Sequence, residues 1–327
     1  MAPSCWVAGS NHLIQPGSLR IEITRAAVPR TDRLRPFVLG YRFSAPAPGL
    51  DEFVRCYVQC EVRLPRGVIS HPVPARPNPM IVLGFGDAVG VLNVDESVQR
   101  KSPPAVLVGP QTHRRFEQQL RGVLRQFVIM FQTDGLQRLC AVPAEELTDQ
   151  AHDAEAVLGS DISRLRQALG DAQSFEERVL LVNKYLFRQA LRCREANRIS
   201  RAAGWIVQAG GRVDIATVAD CAGLSARHFA RRFIGQLGVR PKLFARVVRF
   251  QSALETKALN AQKSWTEVAH NFGYYDQMHM VHDFEQLAGG TPTAMLAQLE
   301  AVFVEEIRQV RSGMVCTEGL AAARLVL

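Results

Sequence analysis

The sequence predicts an α+β chain of two domains: an N-terminal β-barrel carrying helices, then a C-terminal all-α module built from two helix-turn-helix units. Three observations carry that expectation. Between about residues 19 and 132, short β-rich runs follow one another with no helical pattern between them, which favours a barrel or sandwich over a parallel sheet. After Thr133 the apolar spacing changes to a helical period. Residues 214–244 (DIATVADCAGLSARHFARRFIGQLGVRPKLF) and 264–296 (SWTEVAHNFGYYDQMHMVHDFEQLAGGTPTAML) then repeat a single plan.

In the N-terminal part the runs LRIEIT, FVLGYRF, FVRCYVQCEVRL, MIVLGF, VGVLNV, AVLVGP and VLRQFVIMF read as strands, with PVPARPNP and KSPP as loops. The segment DISRLRQALG is a candidate helix. SFEERVLLVNKYLFRQALRC is a stronger one, with Val179, Val182, Leu186 and Ala190 at helical spacing and Ser174 with Glu177 as a capping box. That helix serves either as a cover for the barrel or as a contact with a second copy. A further helix over about 196–208 ends at Gly210 and Gly211. The boundaries expected are 1–193 for the sensing or dimerisation domain, 194–300 for the double helix-turn-helix domain, and 301–327 for a last helix and tail.

Composition narrows the classes. With 327 residues, 47% of them hydrophobic and 21% charged, the chain has enough apolar mass for two ordinary cores. No run approaches the ~18 apolar residues of a membrane helix, and the first residues lack the build of a signal peptide, so the cytoplasm is the expected location. Of the 7 cysteines none forms a CxxC pair. Cys56 and Cys60 are expected on one face of a strand as reduced thiols. The net charge of +8 suits an anionic partner. It concentrates where it matters: Arg227, Arg231, Arg232, Arg240, Lys242, Arg246 and Arg249 fall in 225–249, a stretch with no acidic residue.

The repeat has a specific internal logic. Gly223 and Gly273 are offset by 50 residues. Beyond the turn the offset is 51, pairing Ser225 with Asp276, Phe229 with Met280, Phe233 with Phe284, Gly238 with Gly289 and Pro241 with Pro292. In the first copy Asp214 caps a short helix, Gly223 takes the positive φ of a sharp turn, and Ser225 caps a second helix. Phe229 and Phe233 face inward there. Arg227 and Arg231 lie opposite, where arginine is suited to bond guanine edges in a DNA major groove. In the second copy Ser264 with Glu267 forms a capping box and Met280 and Phe284 face inward. Gln277, Met278, His279 and His282 remain on the outer side. Ser225, Arg232, Arg240, Lys242 and Arg246 are expected on DNA phosphates. Between the copies, residues 244–261 read as one rigid helix.

These residues, the turn glycines with Ser225, Phe229, Phe233, Gly238 and Pro241 followed by VAHNFGYYDQMHMVHDFEQLAGGTP, resemble the AraC/XylS-type transcription regulators over about 196–299. The resemblance implies a seven-helix DNA-binding module with reading positions at Arg227, Ala230 and Arg231, then Gln277, Met278, His279 and His282. This chain departs from the family in carrying Met and His where the second reading helix more often has polar residues and Arg. The preceding region is similar, more weakly, to cupin-like sensing domains, which implies a small effector or a homodimer. Double-stranded DNA is the expected partner, with RNA polymerase beside it.

The competing class is a cupin-type metalloenzyme, or a redox or metal sensor joined to a DNA-binding module. His71, His113 and Glu117 are its ligand candidates, but they lack the paired histidines on one strand that such a site needs. GFGDAVG is a weak phosphate-loop match, and no nucleophile elbow or HExxH is present. The expectation is therefore a non-enzyme with neither metal nor cofactor.

Overall fold

The computed structural model describes residues 37–64 and 68–300. The strand expected at 19–24 and the helix and tail expected over 301–327 lie outside the described residues.

Ten strands precede or interleave with the first helices: β1 (Phe37–Ser44), β2 (Val54–Arg63), β3 (Ile69–Val73), β4 (Met80–Gly84), β5 (Gly90–Asn93), β6 (Val98–Lys101), β7 (Ala105–Val108), β8 (Phe116–Leu120), β9 (Val123–Phe131) and β10 (Ala151–Asp153). They form two antiparallel sheets, ordered β1-β2-β9-β4-β7-β10 and β3-β8-β5-β6. Among the described residues neither sheet closes on itself, and what the strand pattern predicted as a barrel is seen there as two open sheets. The physical reason is a third layer. The helices α1 (Gly135–Cys140), α2 (Ala144–Leu147), α3 (Ala154–Leu158), α4 (Ser160–Asp171) and α5 (Phe175–Ala190) follow the strands. Ile162, Leu165, Leu169, Phe175, Val182 and Leu186 from α4 and α5 bury one face of the larger sheet against Tyr57, Ile81, Leu83, Leu107, Phe127 and Ile129. A sheet covered by helices on that face has no need to curl shut.

The opposite face carries Cys56, Val58, Met80, Val82, Val128 and Met130. Cys60, Val62 and Leu124 meet Val91 and Leu120 of the smaller sheet there, with Val89 just ahead of β5. Cys56 and Cys60 therefore share one face, as the alternation predicts. The chain passes between sheets at Gly122, whose φ of +69 favours glycine and where a Cβ would run into the Asp87 carboxylate. That carboxylate accepts the Val123 N–H at 2.7 Å and pins the corner.

The helices that follow are α6 (Arg198–Gln208), α7 (Ile215–Cys221), α8 (Ala226–Leu237), α9 (Pro241–Leu259), α10 (Trp265–Asn271), α11 (Gln277–Ala288) and α12 (Pro292–Glu300). They enclose two cores. In the first, Ile199, Ala202 and Ile206 of α6, Val218 and Ala219 of α7, and Phe229 and Phe233 of α8 pack on Phe244, Ala245 and Val248 of α9. In the second, Val268, Ala269, Met280, Phe284, Met295 and Leu296 pack on Val247, Phe250, Ala253 and Leu254 of the same α9. One 19-residue helix is thus the shared wall of both units, about 28 Å long at 1.5 Å per residue.

The two halves of the chain touch directly. Ala75, in the loop after β3, is fully buried in the second helical core. Its N–H donates to Leu287 O at 2.8 Å, and its carbonyl accepts from Gln251 Nε2 at 3.1 Å. On the first unit, Gln236 Nε2 of α8 donates to the buried Asp134 at 3.3 Å.

Candidate nucleic-acid interface

The first unit is built from its caps inward. Asp214 accepts the Thr217 N–H at 2.9 Å and starts α7. Gly223 takes φ +65 in the turn, and Ser225 accepts the His228 N–H at 3.4 Å to start α8. Phe229 and Phe233 are fully buried, with ring centroids 5.4 Å apart and Phe233 a further 5.3 Å from Phe244. That aromatic row fixes the rotation of α8 about its axis. Arg227 and Arg231 consequently stand exposed on the outer side, with Ala230 half-buried beside them. Arg232 is exposed too, its Nε donating to His228 Nε2 at 3.0 Å.

The second unit repeats the construction with one more residue in its turn. Ser264 and Glu267 form the reciprocal capping box at the start of α10. Gly273 has φ +67, and Asp276 accepts the His279 N–H at 2.7 Å. Met280 and Phe284 are fully buried, and Phe284 lies 4.7 Å from Phe250, edge to face. Gln277, Met278, His279 and His282 are all exposed, Met278 at 70%. Three of these have protein partners. Gln277 Oε1 accepts from Thr266 Oγ1 at 2.9 Å, tying α11 to α10. His279 leans edge-on to Tyr274, 5.5 Å between centroids. His282 pairs with Gln286 at 3.1 Å.

Ser225, Arg240 and Lys242 are exposed around the turn before α8 and the start of α9. Arg246, also expected on phosphate, is half-buried and pairs with Asp283 of α11: its Nε lies 2.8 Å and its Nη2 2.7 Å from Asp283 Oδ1. Arg249 adds a second contact at 3.4 Å to Oδ2. Asp283 is only 2% exposed, and charge pairs at so buried a position are only weakly screened. The brace was missed in the sequence, although a signal existed. Asp283 falls on the buried stripe of α11 with Met280, Phe284 and Leu287, and a carboxylate in an apolar stripe needs a cation.

Tyr275 was missed too. It sits just ahead of the cap Asp276, the place where an apolar residue usually staples the first turn. Tyr274 takes the interior place instead, beneath Arg249 at 4.6 Å from its ring, and burial holds its phenol well above the usual range. Tyr275 is left 93% exposed, three residues ahead of Met278 in the chain.

Against this geometry, a family model described as a helix-turn-helix domain matches residues 218–298. The C-terminal module is an AraC-type helix-turn-helix domain. The match spans both units of the module, and a second family model, described as a domain of unknown function (DUF6597), matches 42–153. Among solved structures, ToxT from Vibrio cholerae O395 is similar over 75% of this chain and 99% of its own, with 9% identity and a TM-score of 0.46. The DNA-binding domain of AdpA, in complex with a target DNA, is similar over 32% of this chain and 96% of its own, at 23% identity and TM-score 0.30. A DNA-binding transcriptional dual regulator from Escherichia coli K-12 is similar over 33% of this chain and 94% of its own, at 19% identity and TM-score 0.28. No curated protein matches the chain.

Of the alternative ligand candidates, His113 and Glu117 engage other partners. Among the described residues no group of three or more His, Cys, Asp or Glu side chains is placed to hold a metal ion. His113 Nε2 lies 3.5 Å from Asp95, while Glu117 pairs with Arg114 and accepts from Ser70. No described helix is long and apolar enough to cross a membrane.

Proposed function

We propose that the AraC-type module reads DNA sequence with α8 and α11, and that the chain regulates transcription through it. The observation that carries this reading is the paired construction. Two short helix-turn-helix units with matching caps, turn glycines and aromatic floors share one rigid wall, and each exposes the outer side of its second helix. Arg227, Ala230 and Arg231 form the first reading surface, and Gln277, Met278, His279 and His282 the second. The α9 wall, about 28 Å long, suits two helices entering successive major grooves about 34 Å apart.

Of the two surfaces only α8 carries arginine, the bidentate partner of guanine, so α8 supplies most of the base discrimination and α11 mainly positions. Ser225, Arg232, Arg240, Lys242 and Arg246 approach phosphates, and Arg246 also braces α11 through Asp283. Residues 1–193 form the cupin-like sensing and dimerisation domain, 194–300 the DNA-binding domain, and 301–327 a terminal helix and tail. A small effector acts through the first of these, and RNA polymerase is the partner at the promoter. The exposed stripe of Leu180, Phe187 and Leu191 on α5 and at its end, 69%, 42% and 85% exposed, supports a homodimer through that helix.

The test is to select bound fragments from sheared genomic DNA with the full chain and derive the shared sequence. Arg231→Ala should then lose the preference for selected over random DNA by about 10- to 100-fold, the equivalent of one bidentate base contact. Unchanged preference in that variant would show that α8 is not the reading helix.

A further inference from the structure

A cleft of about 400 Å³ opens where α1, the connector before α6, and α8 meet. Arg138, Arg194, Arg198 and Arg232 line it, with Glu195 the one carboxylate among its lining residues. Arg138 forms the floor at 4% exposure, stacked 4.5 Å over Phe53 and paired with Glu52. The other three guanidiniums are exposed and outnumber Glu195. Each keeps several of its five donors unspent: Arg198 uses one on Ala222 O and Arg232 one on His228. The first-turn amides of α6 are already capped by Asn197, so the guanidiniums rather than the helix end are the donors on offer. Along one edge Gln236 forms a polar latch. It donates to Asp134 at 3.3 Å and to Ser200 at 2.9 Å, and accepts from Asn197 at 2.8 Å.

We propose that this cleft binds a small, multiply charged oxyanion, a phosphorylated or polycarboxylate metabolite, and that the bound anion ties α8 to the connector before α6 and the first turn of α6. The volume is that of small-ligand sites, and guanidinium forks suit phosphate and carboxylate oxygens. The cleft is not on the base-reading side of α8, and Arg232 stands at its boundary with the phosphate-facing flank. Arg232 and Gln236 lie about 100° and 140° around the helix from Arg231, and the facing wall belongs to α1 and the connector. An anion there bridges Arg194 and Arg198 to Arg232 across the latch, so its arrival changes how firmly α8 is held. The coupling rests on reading α8 as the DNA-reading helix; the binding site does not.

The experiment is calorimetric titration of the full chain with inorganic pyrophosphate at constant ionic strength. One saturable site is expected, weakened at least about tenfold in Arg194→Gln/Arg198→Gln and unaffected in Arg164→Gln, an exposed arginine of α4. Absence of a saturable site, or equal binding by the double variant, overturns the proposal. In a second arm, affinity for the selected DNA fragments is measured with and without saturating pyrophosphate. The wild-type affinity should shift at least threefold, the double variant's should not, and their pyrophosphate-free affinities should agree within about twofold. If the double variant instead binds DNA more weakly with a shallower salt dependence, and no pyrophosphate site is found, the cleft is a DNA-backbone contact and the proposal falls. If pyrophosphate binds as expected while wild-type protein selects no DNA, the site stands and the reading of α8 fails.

Discussion

Gly238 and Gly289, 51 residues apart and equivalent in the repeat, close α8 and α11 with the same left-handed cap, φ +74 and +72. Both also press against the N-terminal domain. A Cβ at Gly238 would overlap Thr148 Oγ1 and the Ala144 carbonyl, and one at Gly289 would overlap the Arg114 side chain. The C-terminal ends of α8 and α11 are therefore both seated on the domain expected to sense the effector.

Substitution separates this seating from simple backbone strain. Gly273 has nearly the same φ, +67, with nothing near a built Cβ. Gly273→Ala should cost about 1 kcal/mol from the left-handed backbone alone. Gly238→Ala should cost about 2–4 kcal/mol, because rigid backbone stands in the way. Gly289→Ala should fall between, since Arg114 is flexible. Urea denaturation of the three variants measures the order, and equal losses would mean that the domain contact is not formed in solution.

Asp283→Asn should destabilise the chain by about 2 kcal/mol. It removes the charge that Arg246 and Arg249 share at a nearly buried position, and both arginines are partly solvated, which reduces the penalty of losing a fully buried partner. The loss should appear in urea denaturation and in weaker DNA binding through α11.

The capping box at α10 gives a pH signature. Hydrogen bonds from the Ser264 N–H and hydroxyl hold the Glu267 carboxyl below its usual range. A depressed carboxyl stabilises the fold above its unfolded pKa, and that contribution disappears as pH falls through the folded value. The melting temperature of Glu267→Gln should therefore lie below wild type at neutral pH, and the gap should close on acidification below about pH 4. A gap independent of pH would exclude the carboxylate as its source.

Burial raises the Cys56 thiol to about 11 and the Cys140 thiol to about 12, so neither is a thiolate near neutrality. Iodoacetamide at pH 8, mapped by mass spectrometry, should leave both unlabelled until the chain is denatured. Fast native labelling of either would restore the redox-sensor alternative.

If α5 joins two copies, Leu180→Asp with Phe187→Asp should convert a dimer to a monomer in light scattering, with little change in melting temperature. Neither residue belongs to the buried core.

Much of this molecule was legible in the chain itself. The two helix-turn-helix units, their caps at Asp214, Ser225, Ser264 and Asp276, their turn glycines and the wall between them follow from local rules: short-range hydrogen bonds, positive φ, and apolar residues at helical spacing. Larger-sheet strands such as β4, β7 and β9 were equally visible as apolar runs. Most of the smaller sheet was not, because VQRK and FEQQL at β6 and β8 carry too little apolar alternation to announce strands. They become strands by pairing with neighbours such as β5. Whether the sheets closed into a barrel was decided by α4 and α5, far along the chain, covering one face. The pairing of Arg246 with Asp283, the exposure of Tyr275 and the seating of both helix ends on the N-terminal domain were likewise settled only in three dimensions. Local periodicity records which side of an element is apolar. It does not record which partner that side meets, because the partner is brought from elsewhere in the sequence by the fold.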